Sequence, residues 1–173
     1  MGSWDDELAH PVRSEAARLR RLTVDDDTSS TAFDLVGPVR DLVETRRAAG
    51  AIVELEAPTN AIVSADESDV LAIVDNLLSN AQRHGRPPIT ARITQSGRTI
   101  RISVADGGSG LSVAEAERVF QRGMSTHPDG SGFGLSRVRT LAERNNGSVA
   151  VEQLAGGRTT FVLVLESAEV AAR

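Results

Sequence analysis

Three short segments hold residue types whose spacing could do chemistry. In Asp75-Asn76-Leu77-Leu78-Ser79-Asn80-Ala81-Gln82-Arg83-His84, the residues Asn76, Asn80 and His84 recur every fourth position, which on a helix stacks them in one polar row with Arg83 beside it. An amide oxygen in such a row can hold a hard cation such as Mg²⁺, which keeps several waters and takes oxygen ligands shared with phosphates; the same row would also serve as an ordinary solvated helix face. In Asp106-Gly107-Gly108-Ser109-Gly110 the glycines let a backbone approach a flat ligand closely. A carboxylate at that lip can accept a hydrogen bond from an exocyclic amine such as adenine's, or simply cap a tight turn. In Gly130-Ser131-Gly132-Phe133-Gly134-Leu135, leading into a helical pattern, free backbone N–H groups and the positive helix end make an anion site, or an ordinary loop.

These segments need elements to position them. Leu8, Val12, Ala16, Leu19 and Leu22 recur at helical spacing, and the polar, acidic run from Asp25 to Thr31 reads as a linker, so the domain proper begins near Phe33. Asp34 can cap a helix over Leu35 to Ala49, which Gly50 stops. Two β-branched runs, Ala51–Glu56 and Ala61–Ser64, flank Pro58-Thr59-Asn60 and suggest a hairpin-like pair. Asp66 opens a long helix to about His84, with Val70, Ile73, Val74, Leu77, Leu78 and Ala81 as its buried stripe. Strands at Ile89–Gln95 and Thr99–Ala105 join through Ser96-Gly97-Arg98, the second running straight into the Asp106 loop. A short helical turn around Val113 to Phe120, an aperiodic and mobile loop from Gln121 to Ser131, a helix from Phe133 to Asn145 and a last hairpin of Ser148–Leu154 with Thr159–Leu165 complete the reading. Helices interleaved with strand pairs predict an α+β fold, a two-layer sandwich with a mixed, mostly antiparallel sheet and helices on one face.

Composition closes several classes. A chain of 173 residues with 40% hydrophobic and 25% charged residues folds around one core. Only 3% are aromatic and the net charge is -5, so neither a base-stacking platform nor a cationic phosphate-backbone surface is available, and no nucleic-acid partner is expected. Cysteine is absent, which removes thiolate chemistry, and every basic residue is Arg, which removes a lysine-dependent phosphate loop. With no apolar run that would span a bilayer, no direct membrane insertion is expected, and a cytoplasmic location, reached at the membrane only through a partner or a missing sensor region, follows.

Taken together, the order and spacing of the three segments resemble the ATP-binding catalytic domain of sensor histidine kinases, in the Bergerat-fold ATPase superfamily. The Asn helix matches the N box, Asp106 to Gly110 the first glycine box, Val119-Phe120 the F box and Gly130 to Leu135 the second glycine box, over about Phe33 to Leu165. The resemblance implies ATP and Mg²⁺ as cofactors. It implies that Asp106 binds the adenine amino group, that Asn80 holds Mg²⁺ bridging the phosphates, that Gly132 and Gly134 lie along those phosphates, and that Gly108, Gly110, Leu111, Gly130, Phe133 and Leu135 also belong to the nucleotide site. Asn76, Arg83 and His84 would complete the phosphate wall, Arg122 or His127 would approach the γ-phosphate, and Thr159 or Thr160 would lie near adenine. His127 stands where the similar subtype often has a Lys, and a mostly neutral imidazole is a poorer phosphate partner.

The resemblance also implies a phosphoacceptor His on a preceding helical hairpin. The only early His, His10, is followed by Pro11-Val12-Arg13 without the acidic neighbour of that segment, while Glu15 to Leu22 resembles the end of the hairpin's second helix. The division expected is therefore 1–31 as helix remnant and linker, 32–167 as the catalytic domain and 168–173 as tail. The chain then reads as the ATP-binding half of a protein-histidine kinase, with a phosphoacceptor-His dimerisation domain or separate chain and a downstream response regulator as partners. An anti-sigma-factor-type serine kinase and a degenerate nucleotide-binding module are the other readings. Against the former, Asn76 is an amide where serine-phosphorylating relatives usually carry a Glu that can act as base.

Overall fold

In the computed structural model, residues 31–121, 134–153 and 158–168 are described. They form, in chain order, β1 (Thr31–Asp34), α1 (Val36–Ala48), β2 (Val53–Glu56), β3 (Ile62–Ala65), α2 (Glu67–His84), β4 (Ile89–Ser96), β5 (Thr99–Ala105), α3 (Val113–Arg118), α4 (Gly134–Arg144), β6 (Ser148–Gln153) and β7 (Thr159–Glu166). A five-stranded sheet has the order β2-β4-β5-β7-β6, with β2 parallel to β4 and the other three pairings antiparallel. The tight turn between β4 and β5 works because Gly97 takes φ 55°, a left-handed conformation matched to the twist of the flanking strands. Alternation then sorts the faces. Ile100, Ile102 and Val104 are buried opposite Leu165, Leu163 and Phe161, beneath α2 and α4, whereas Arg101 and Ser103 turn to the other side. This is the expected α+β sandwich with its helices on one face.

One expectation fails. Ala51–Glu56 and Ala61–Ser64 do not pair with each other. β2 lies parallel to β4 from Val53↔Ile89 to Glu56↔Arg92, and β3 pairs antiparallel with β1 from Thr31↔Ala65 to Asp34↔Ile62. The reason is one carboxylate that binds two distant segments. The Asp34 Oδ1 accepts from the N–H groups of both Ala61 (2.9 Å) and Val36 (3.1 Å), and the Leu35 N–H donates to the Ala61 carbonyl (3.1 Å). Those bonds hold the start of β3 against the β1–α1 junction, away from β2. Thr31, assigned to the linker by composition, opens a four-residue strand too short to show a two-residue period.

The long helix forms as its pattern requires. The Asp66 carboxylate accepts from the Ser68 hydroxyl (2.5 Å) and the Asp69 N–H (3.0 Å), which together hold it below its ordinary range. Val70, Ile73, Val74, Leu77 and Leu78 of α2 are fully buried against the sheet. Its first turn is fastened to the end of α4. Asp69, 5% exposed, accepts from Arg144 Nε (2.7 Å), from Arg144 Nη2 and from Asn145 Nδ2 (2.9 Å), and the Asn145 Oδ1 accepts from the Asp66 N–H (2.7 Å). On its outer side the Arg46 guanidinium of α1 bonds Asp75 (2.5 Å), Ser79 (2.8 Å) and Gln82. α2 is thus fixed at both ends and on two sides, so the row it carries is held in a set orientation.

Candidate functional site

The polar row of α2 runs from the start of α4 at Gly134 towards the first glycine segment. Asn76 is half-buried, and its Nδ2 donates to the Ala72 carbonyl at 2.7 Å, which fixes the amide and turns Oδ1 outward. That Oδ1 lies 3.3 Å from where a Cβ on Gly134 would stand, so α4 begins directly against the row. One turn on, Asn80 is half-buried and makes no side-chain hydrogen bond among the described residues. Arg83 and His84 follow, exposed, on the last turn.

At the far end of the row the chain turns at Gly85 and passes over the first glycine segment. The Gly107 N–H donates to the Arg86 carbonyl at 2.6 Å, and a Cβ on Gly107 would come within 2.8 Å of the Pro87 carbonyl. Asp106 continues the alternation of Ile102 and Val104, so its carboxylate rises on the helix side of the sheet. Its Oδ1 accepts from the Gly108 N–H at 2.7 Å; its Oδ2 has no partner among the described residues.

The rest of the predicted set divides. The Leu111 N–H donates to Thr159 Oγ1 at 2.7 Å, bringing Leu111 and the start of β7 to the Asp106 side, and Gly110 takes φ 80° just before it. Thr160, one residue on, belongs to the opposite face; it is 5% exposed and its buried Oγ1 has no partner among the described residues. Leu135 packs partly into the core at the start of α4. Arg122, His127, Gly130, Gly132 and Phe133 lie outside the described residues. Phe120, immediately before that segment, is 5% exposed, meets Phe161 edge-on at 6.1 Å and carries the Arg139 guanidinium over its ring at 5.3 Å. The expected place of Gly85 was only that of a helix stop. Nothing in the local pattern announces that Asp106, twenty-one residues later, lies against it.

A helix-covered, mostly antiparallel sheet, with an Asn row set between a strand-end Asp-Gly-Gly turn and a glycine-started helix, defines a Bergerat-type ATP-binding domain. The chain belongs to the family described as histidine kinase-, DNA gyrase B- and HSP90-like ATPases, whose pattern matches residues 65–169. Among curated relatives, the sensor histidine kinase ZraS of Escherichia coli O157:H7 is 32% identical over 107 residues, covering 60% of this chain and 23% of that protein. The chain spans about a fifth to two fifths of the length of the curated relatives it matches. Among solved structures, a mycobacterial sensor histidine kinase, MprB, superposes with a TM-score of 0.70 at 25% identity, covering 80% of this chain and 97% of that one. Full-length ShkA in complex with AMPPNP superposes with a TM-score of 0.72 at 25% identity, covering 92% of this chain and 36% of that one. The chain is a histidine-kinase-type ATP-binding domain. Among its described residues no helix is long and apolar enough to cross a membrane.

Proposed function

We propose that this domain binds ATP with Mg²⁺ in the wall described above and donates the γ-phosphoryl group to a histidine on a partner domain or chain, as part of a two-component system with a response regulator downstream. The observation that carries the reading is Asp106. One of its oxygens is committed to the Gly108 N–H and the other has no partner among the described residues, an arrangement suited to accept from adenine's amino group. The metal would be held by Asn80, whose side chain is unengaged among the described residues; bound there, it would supply positive charge to offset that of the phosphates. Asn76, Arg83, His84 and Gly134 border the phosphate end, with Arg122, His127, Gly130, Gly132 and Phe133 assigned to it by the family resemblance.

The chemistry needs little else from the domain. The bond from the γ-phosphorus to the bridging oxygen breaks, a phosphorus–nitrogen bond forms at a neutral imidazole, and ADP leaves. Positioning and charge neutralisation dominate such transfers, and the histidine nitrogen is already nucleophilic. Asn76 suits this reading, because its amide is tied to the Ala72 carbonyl and offers no base to a serine hydroxyl.

The test is Asp106→Asn. It sets an NH₂ toward an NH₂ and should cost on the order of 1–3 kcal/mol, up to about a hundredfold in ATP affinity by calorimetric titration. Unchanged affinity would remove the adenine assignment.

A further inference from the structure

The Asp106 carboxylate stands in a slot made by glycine. A Cβ built on Gly85 would lie 2.5 Å from the Asp106 Cβ, nearer still to its Cγ, and 2.6 Å from the Ala81 carbonyl oxygen. A Cβ on Gly108, on the other side, would lie 2.6 Å from Asp106 Oδ1 and 3.6 Å from the Gly85 Cα. Real side-chain carbons do not approach so closely. The Asp106 atoms nearest Gly85 are at the root of a short side chain, so no rotation of a flexible end relieves the overlap. Conformation is not what demands glycine here: Gly85 has φ -89° and ψ -167°, extended backbone open to any residue. What position 85 supplies is the absence of a side chain where the carboxylate must stand.

We propose that Gly85 is a positioning residue for nucleotide-base recognition: by leaving that slot empty, the last residue of the α2 cap sets the height and direction at which Asp106 presents its Oδ2. The inference rests on the adenine reading of Asp106. Gly85 touches no ligand itself. It acts through Asp106, and it couples the end of the metal-binding helix to the base-reading loop, since the Gly107 N–H is tied to Arg86 one residue later. Any Cβ at 85 forces the carboxylate, or the strand end that carries it, to shift by about the overlap. Alignment to an incoming amine is lost even though every group that contacts the nucleotide is still present, because a hydrogen bond weakens steeply with misalignment.

The experiment compares MgATP with the magnesium complex of purine riboside triphosphate, which has the same sugar, phosphates and ring but no exocyclic amine. Gly85→Ala should weaken MgATP at least tenfold while changing the amine-free nucleotide less than twofold. The Gly108 amide resonance, reporting the bond to Asp106 Oδ1, should move in the same variant. In an Asp106→Gly background, where the side chain in the way is gone, adding Gly85→Ala should change neither affinity. Equal weakening of both nucleotides would make Gly85 a purely structural residue and overturn the proposal, as would unchanged MgATP affinity. If Gly85→Ala does not fold, the pair Gly85→Ala, Asp106→Gly should fold; failure of both would assign the requirement to the Ala81 carbonyl and likewise overturn it. The parent reading fails separately, by Asp106→Asn binding MgATP at full strength.

Discussion

Asn76 and Asn80 are the same residue type one turn apart, yet the structure gives them different work. Asn76 spends its NH₂ on the Ala72 carbonyl and faces Gly134, while Asn80 makes no side-chain hydrogen bond among the described residues. An unengaged, half-buried amide beside the proposed phosphate site is placed to offer its oxygen to a hard cation. Asn80→Ala is therefore expected to weaken Mg·ATP about tenfold, ~1.4 kcal/mol, and to leave metal-free ATP binding nearly unchanged in chelator. Calorimetry in both conditions checks it, and equal losses would make Asn80 structural. At this scale the residues were legible in the sequence, because Asn76, Asn80 and Asp106 announce themselves by type and spacing. Their division of labour was not, since it depends on which carbonyl and which glycine stand opposite.

Helix α2 is the element on which the site depends, and its first turn is the joint to test. Asn145, 6% exposed, bonds Asp69, the Leu141 carbonyl and the Asp66 N–H at once. Asn145→Ala strands these groups and should cost about 1–3 kcal/mol in urea unfolding. Little change would mean that water replaces the amide. The cap next to it makes stability pH-dependent. The Ser68 hydroxyl and the Asp69 N–H lower the Asp66 pKa in the folded state, so the unfolded chain binds a proton first as pH falls. The stabilisation is complete above the ordinary carboxylate pKa and disappears as pH drops through the lower folded value. Unfolding curves in acid should therefore flatten for Asp66→Ala relative to the parent chain, and parallel curves would contradict the linkage. The cap was readable from Asp66 and the stripe behind it. The Asp69–Arg144–Asn145 joint was not, because its members lie about seventy-five residues apart.

For the molecule as a whole, the proposal separates binding from transfer. Phosphoryl transfer needs a nucleophile close to and in line with the γ-phosphate, and in the proposed reading that nucleophile comes from a partner. Incubated with γ-labelled ATP, the 173-residue chain should stay unlabelled, while an added chain bearing a phosphoacceptor-His helical hairpin should gain acid-labile, base-stable phosphate. Stoichiometric self-labelling abolished by His10→Gln would make His10 the acceptor. Acid-stable phosphate on a partner's serine would instead favour an anti-sigma-type kinase.

By itself the sequence determined the class of fold, because periods of 3.6 and 2 are local properties of α2 and of the β4–β5 hairpin, and it marked the Asn row and the Asp106 turn because side-chain type and glycine content are local too. Only the tertiary structure decided that β2 joins β4 in parallel while β3 leaves for β1, since Asp34 binds the Ala61 amide across twenty-seven residues of chain. Likewise it decided that Thr159, and not Thr160, stands on the Asp106 side, and it set Gly85 against Asp106. Strand partners and the space beside a side chain are fixed by burial and hydrogen bonding between distant segments, and no window of neighbouring residues contains that information.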